Sequence, residues 1–117
     1  MPRQPLLMAR SEIVFRSRLA GLPGPVDGVT PSLTDMEIVS REAREARELG
    51  FRGKLAIHPS QLAPIMAAMK PSERDVLWAE AVLKAVGSDG AFKIDGAMID
   101  APQIARAERI VRQSERR

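Results

Sequence analysis

The sequence predicts an α/β chain that forms one portion of a larger parallel-sheet fold, and three observations carry that prediction. Short apolar runs alternate with amphipathic helical segments, the pattern of parallel βα units. There are two such runs, around Pro25-Val26-Asp27-Gly28-Val29 and Leu55-Ala56-Ile57-His58-Pro59, and proline and glycine keep both short. Two buried strands cannot by themselves make a parallel sheet with both faces covered, which is the form such sheets take.

The elements follow in order. Leu6 to Ala20 places Leu6, Met8, Ala9, Ile13, Val14, Phe15 and Leu19 among Arg10, Arg16 and Arg18, the spacing of an amphipathic helix ended by Gly21. Two prolines and two glycines within Leu22–Val29 allow only a short extended piece, Val26 to Val29, running into a loop. Met36, Val39, Ala43, Ala46 and Leu49 recur three or four residues apart and predict the strongest helix. Thr34 or Ser32 caps it, each at capping-box spacing from Glu37 or Asp35, and Gly50 supplies the stop. Its Glu37/Arg41 and Arg41/Glu45 pairs predict a solvated face. Leu55 to Pro59, apolar without alternation, predicts a strand buried on both faces.

A helix from near Ser60 then turns Leu62, Ile65, Met66 and Met69 inward. The next, capped by Ser72 with Asp75 closing the box, buries Val76, Ala79, Leu83 and Val86, widened by Trp78 and Val82, and ends at Gly87. Ser88-Asp89-Gly90 reads as a turn and Ala91–Gly96 as a small hairpin turning at Asp95-Gly96. A last helix spans Pro102 to Gln113, with Ile104, Ala107 and Val111 inward. A closed (β/α) barrel takes about 250 residues, so 117 residues in this order predict part of a larger fold.

Composition narrows the function. The chain has no cysteine and one histidine, His58, which removes a disulfide framework, a cysteine nucleophile and a zinc site built within the chain. Carboxylate-bound magnesium stays open because it needs only oxygen ligands. A net charge of +3, with three Phe, one Trp and no Tyr, argues against nucleic acid. No apolar run reaches the roughly 18 residues that span a bilayer. Leu6-Leu7-Met8-Ala9 is too short for a signal-peptide core, so the expected location is cytoplasmic.

Several motifs agree in order: Pro25-Val26-Asp27-Gly28-Val29, Asp35 with the Glu42-Ala43-Arg44 helix, Leu49-Gly50-Phe51-Arg52-Gly53-Lys54, Ile57-His58-Pro59-Ser60-Gln61, and Asp95-Gly96-Ala97-Met98-Ile99-Asp100. Over about Ala9 to Val111 the chain resembles the C-terminal portion of the citrate lyase beta-subunit family, within the HpcH/HpaI-type aldolases. The resemblance implies the C-terminal part of a TIM barrel over residues 1–87, then a hairpin and C-terminal lid helix over 88–117, incomplete as a barrel. It implies magnesium-dependent cleavage or condensation of a citryl-, malyl- or citramalyl-CoA-type thioester, or a related dicarboxylic acid. The developing enolate charge would be stabilised by the cation and a guanidinium.

The resemblance also implies a homotrimer, or else a separate N-terminal half as partner. It makes Asp100 the general acid/base that reaches from one subunit's lid into its neighbour's site. Asp27, Gly28, Ile57, His58 and Pro59 become the loops along which the acyl-CoA arm lies. No position of this chain matches the family's two acidic magnesium ligands or its substrate-binding arginine, which implies inactivity of this chain alone. Each residue also has a plainer reading. Asp100-Ala101-Pro102-Gln103 suits a helix N-cap, His58 a hydrogen-bonded strand end, and Asp27-Gly28 a tight turn. Lys54 suits either a phosphate-facing point charge or a solvated strand-edge lysine. The alternative function is a non-catalytic assembly or regulatory module. Open strand edges predict an isolated chain that is oligomeric, partly molten or aggregation-prone.

Overall fold

The computed structural model describes residues 3–86, 93–94 and 96–115. The chain divides into two compact units, Met1–Met69 and Lys70–Arg117. The first runs α1 (Gln4–Leu19), β1 (Val26–Asp27), α2 (Met36–Leu49), β2 (Gly53–Lys54), a 3-10 turn (Pro59–Gln61) and α3 (Leu62–Met69).

Helix α2 follows its periodicity. Val39, Ala43 and Ala46 are buried, and Val39 and Ala43 pack with Ile65 and Ala68 of α3, with Met36 and Met69 against them. Its cap is Asp35 rather than Thr34 or Ser32. Asp35 Oδ1 accepts from the amides of Glu37 at 3.0 Å and Ile38 at 3.3 Å, while Ser32 Oγ accepts from the Asp35 amide at 3.1 Å. Asp35 is the residue with extended backbone immediately before the first helical one, so its shorter reach to those amides wins. Gly50 stops the helix at φ +107°, with Phe51 N–H bonded to the Ala46 carbonyl and Gly50 N–H to that of Arg47, a Schellman closure.

Strands β1 and β2 pair in parallel, with Val26 opposite Gly53 and Asp27 opposite Lys54. The bonds Arg52 N–H to Pro25 O at 2.9 Å and Leu55 N–H to Asp27 O at 3.0 Å bracket the ladder. The second strand therefore lies at Gly53–Lys54, not along Leu55–His58, and β1 stops at Asp27 rather than Val29. The next rung of a parallel ladder would take the Ile57 amide to the Val29 carbonyl, but that amide goes to Gln61 Oε1 at 2.9 Å, so the chain leaves the ladder. Just past the paired residues the Gly28 carbonyl accepts from Lys54 Nζ at 2.7 Å. Leu55 and Ile57, expected to be buried, are half exposed.

Helix α1 forms as predicted but is turned the other way. Its less exposed positions are Arg3 just before it, then Arg10, Val14 and Ser17, which share one face of a 3.6-residue repeat. Leu6, Leu7, Met8, Ile13, Phe15 and Leu19 are all exposed, and none of its described residues is fully buried. Apolar residues occur on every side of this helix, so they select no face. The arginines do, because α2 offers them carboxylates. In α3 the buried stripe runs through Ile65 and Ala68 toward Met69, leaving Leu62 and Met66 exposed, since α2 covers only that side.

The second unit holds α4 (Glu73–Val86), the antiparallel strands β3 (Lys93–Ile94) and β4 (Ala97–Met98), and α5 (Ala101–Glu115). Ser72 Oγ accepts from the Asp75 amide at 3.1 Å, the predicted cap. Ala79 and Val82 of α4 pack with Ile99 and with Ala107 of α5, surrounded by Trp78, Leu83, Ile104 and Val111. Arg106 lies over the Trp78 ring, 4.9 Å from its centroid. Val86 stays exposed at the helix end. The hairpin turns through Gly96 at φ +77°. Gly87, the Ser88–Gly90 turn, Ala91, Phe92 and Asp95 lie outside the described residues.

A Cβ at Gly50 would stand 2.7 Å from Val14 Cγ1 while holding a left-handed backbone. Gly50→Ala is expected to destabilise the chain by about 1–2 kcal/mol from the backbone alone, and by more once Val14 is displaced. A urea melt with an unchanged midpoint would contradict this.

Candidate functional site

In parallel α/β folds, ligands bind at the carboxyl ends of the strands. Here those ends deliver two segments, Asp27-Gly28 at the end of β1 and Leu55 to Pro59 after β2. Asp27 is buried, and its Oδ2 accepts from Arg10 Nη2 at 3.0 Å and from Lys54 Nζ at 3.3 Å. The Lys54 side chain is only 1% exposed. It is therefore neither the phosphate-facing charge nor the solvated edge lysine that the sequence suggests. The register that sets Lys54 opposite Asp27 spends its charge internally.

The pair extends into a network. Arg10 Nη1 reaches Glu45 Oε1 at 3.1 Å, and Arg3 bridges Glu45 at 3.2 Å and Glu42 at 3.1 Å. Thr30 Oγ1 donates to Glu42 Oε2. The Arg10 guanidinium also lies 5.3 Å from the Phe51 ring centroid, and its Nε is buried without a partner. Part of the α2 face expected to be merely solvated is thus an ionic contact with α1. Three cations meet three carboxylates, so the shallow cleft of about 150 Å³ between Arg3, Leu6, Val29 and the Arg10–Asp27–Lys54 group is charge-compensated.

The second segment is built around Gln61. Ile57 donates its amide to Gln61 Oε1 at 2.9 Å, and Gln61 Nε2 donates to the carbonyls of Thr30 and Ser32, both at 2.8 Å. Gln61 is fully buried. His58 is exposed and caps the turn begun by Pro59, with Nδ1 accepting from the Ser60 amide at 3.1 Å. The structure thus brings Asp27, Gly28, Ile57, His58 and Pro59 into one framework. Asp100 belongs to the other unit, where it is exposed and caps α5, Oδ1 accepting from the Gln103 amide at 3.2 Å.

Among the described residues no group of three or more His, Asp or Glu is placed to hold a metal ion. The carboxylates of Asp27, Glu42 and Glu45 are engaged by cations. These residues do not fit a magnesium site of their own. Sequence reasoning singled out neither Arg10, Glu45 nor Gln61. The pattern marks Arg10 and Glu45 only as polar helix positions, and Gln61 only as the last residue of the His-Pro-Ser-Gln motif.

Removing one partner of a buried ion pair typically costs about 3–5 kcal/mol. Lys54→Met is expected to fall at the lower end, about 3 kcal/mol, because Arg10 still holds Asp27. Adding Asp27→Asn should recover part of the loss. Additive losses in the double variant, measured by chemical denaturation, would deny the coupling.

Residues 17–116 match the family described as C–C bond lyases of the TIM-barrel fold. The chain is 36% identical over 111 residues to a citrate lyase subunit beta-like protein of Deinococcus radiodurans, a match covering 91% of this chain and 39% of the relative. It is 35% identical over 113 residues to the mitochondrial citramalyl-CoA lyase of Rattus norvegicus, covering 92% of this chain and 33% of that enzyme. Among solved structures it resembles CitE from Mycobacterium tuberculosis in complex with magnesium, acetoacetate and coenzyme A. That match has a TM-score of 0.76 and 34% identity, over 90% of this chain and 39% of that one. The chain spans about a third to two fifths of the length of these relatives. Its parallel βαβ unit is part of a TIM barrel, and the chain belongs to the C–C bond lyase family of that fold.

Proposed function

We propose that this chain supplies the C-terminal strands and lid of a magnesium-dependent carbon–carbon lyase acting on a citryl-, malyl- or citramalyl-CoA-type thioester, and that it does not catalyse alone. The carrying observation is the parallel β1–β2 pair, whose carboxyl ends lead directly into Asp27-Gly28 and on to Ile57-His58-Pro59. That is the face on which TIM-barrel enzymes place their chemistry. The magnesium and coenzyme A in the Mycobacterium tuberculosis neighbour support the substrate class and the cation. The cation would be held by residues other than those described, and its chemistry would be to polarise the substrate's carbonyl oxygens.

The roles left to this chain follow from what its side chains are free to do. No atom lies within 4 Å of the position a Cβ would take at Gly28, so a ligand's chain can approach the backbone there. The exposed residues Ile57 to Pro59 border the same framework. Asp100, exposed at the start of α5, is the general acid/base of the reading, moving a proton between its carboxylate and the substrate hydroxyl or enolate carbon. Capping uses Asp100 Oδ1, and a carboxylate has a second oxygen for that work. A trimer that brings the lid to a neighbouring subunit, acting in the cytoplasm, completes the proposal.

The 117-residue chain alone is expected to show no magnesium-dependent cleavage of citramalyl- or malyl-CoA. The same chain supplied with the preceding barrel strands should release a shorter acyl-CoA. Turnover by the chain alone would overturn the first half. No turnover after complementation would leave the assembly-module reading.

In an active assembly, Asp100→Asn should lower kcat by about 10²–10⁴-fold with little change in folding, because asparagine caps helices as well as aspartate does. Unchanged turnover would return Asp100 to capping only. Gly28→Ala should leave the melting midpoint nearly unchanged while raising KM for the thioester, as read from initial rates.

A further inference from the structure

We infer that Gln61 is the positioning residue of this site, and the inference rests on the acyl-CoA reading above. Strand pairing sets the spacing of the two site segments only as far as the bond from the Leu55 amide to the Asp27 carbonyl. Beyond that point no strand bond joins the loop after β1 to the loop after β2, and of residues 28–35 and 55–60 only Thr30 is buried. One carboxamide joins them. Both Nε2 protons of Gln61 go to the first loop, at Thr30 O and Ser32 O, and its Oε1 takes the amide of Ile57 in the second.

The Gln61 side chain is fully buried, its bond to Thr30 O is buried as well, and the bonds to Ser32 O and from Ile57 N are part-buried. A planar amide with both donors and its acceptor engaged holds the two loops at a fixed separation. The carbonyls it holds lie two and four residues after Gly28, and the amide it holds immediately precedes His58-Pro59. Gln61 therefore sets the gap between Gly28 and the Ile57–Pro59 backbone, the gap in which the thioester arm lies in the proposed site. It touches no substrate itself. Thr30 extends the clamp to α2 through its hydroxyl bond to Glu42, so the gap is referenced to the helix scaffold rather than to another loop.

Two variants separate positioning from simple core filling. Gln61→Glu keeps the acceptor for Ile57 and leaves at most one of the two donors, whereas Gln61→Met keeps the length and removes all three bonds. Both are to be read by amide exchange in the 117-residue chain and by kinetics in the complemented lyase. Protection at Ile57 should fall in Gln61→Met, and α2 and α3 should keep the parent's protection in both variants. The arm it aligns is remote from the reacting bond, so losing that alignment removes uniform binding: KM for the acyl-CoA should rise about tenfold, with a much smaller change in kcat.

Loss of α2 and α3 protection in both variants would make Gln61 a core residue and overturn the inference. So would a KM within twofold of the parent's with only kcat reduced, the signature of a smaller folded fraction. The parent distinguishes the two levels. An inactive parent assembly overturns the lyase reading, whereas an active parent with unmoved KM in the variants overturns the role of Gln61 alone.

Discussion

The carboxylate of Asp27 is the constraint on which the first unit depends. It is buried at the end of a two-residue strand, and a buried charge without partners is not tolerated. Its two partners come from different elements, Arg10 from α1 and Lys54 from β2. Satisfying one carboxylate therefore fixes the helix that precedes β1 and the strand that pairs with it. Lys54 also bonds the Gly28 carbonyl, just past a ladder of two residues a side. The seat of α1 and the start of the candidate loop follow from the same few bonds.

That constraint also explains why α1 shows its apolar side chains outward. Its inward face is chosen by ionic contacts with Glu42 and Glu45, and Arg10 packs on the Phe51 ring, an interaction worth roughly 1 kcal/mol. Leu6, Ile13, Phe15 and Leu19 are left exposed, as are Val26 and Val29 around β1 and Leu55 and Ile57 after β2. In a parallel barrel each strand is paired on both edges and covered on both faces. Of the exposed positions around β1 and β2 only Val26 lies on a strand, and the others flank the two strand ends. The interior of this unit is correspondingly small, formed mainly by Val39, Ala43, Ile65 and Ala68.

What the sequence makes legible is local. Helices α2, α4 and α5 were readable because a repeat of three or four residues and a cap lie within one segment, with a glycine stop as well at Gly50 of α2, and the hairpin was readable from its turn at Asp95-Gly96. Asp100 was readable as a cap for the same reason, with Pro102 just inside the helix. The offset of β2 was not. An apolar run says that a strand is near, but the partner strand decides which residues pair, and β1 pairs with Gly53-Lys54. Arg10, Asp27 and Lys54 are far apart in sequence and meet only through that register. Gln61 was invisible for another reason: its bonds go to backbone carbonyls and an amide, which leave no signature in side-chain pattern.

The charge arrangement bears on how the proposed site divides its labour. Cleaving a carbon–carbon bond next to a thioester develops negative charge on an enolate, and stabilising it takes positive charge that is not already neutralised. Arg3, Arg10 and Lys54 do not qualify, since Glu42, Glu45 and Asp27 hold them at 3.0–3.3 Å. These charges build the scaffold. The groups left at the strand ends are the open backbone beside Gly28, the exposed segment Ile57 to Pro59, and His58 with Nδ1 already bonded to its own turn. Uncharged groups of this kind suit the pantetheine arm of a CoA thioester, a neutral chain carrying amide groups, better than they suit its phosphates or the reacting carboxylate. In the proposed enzyme this portion of the barrel aligns the carrier arm and lends the acid/base Asp100, while the positive charge that meets the enolate comes from another part of the barrel.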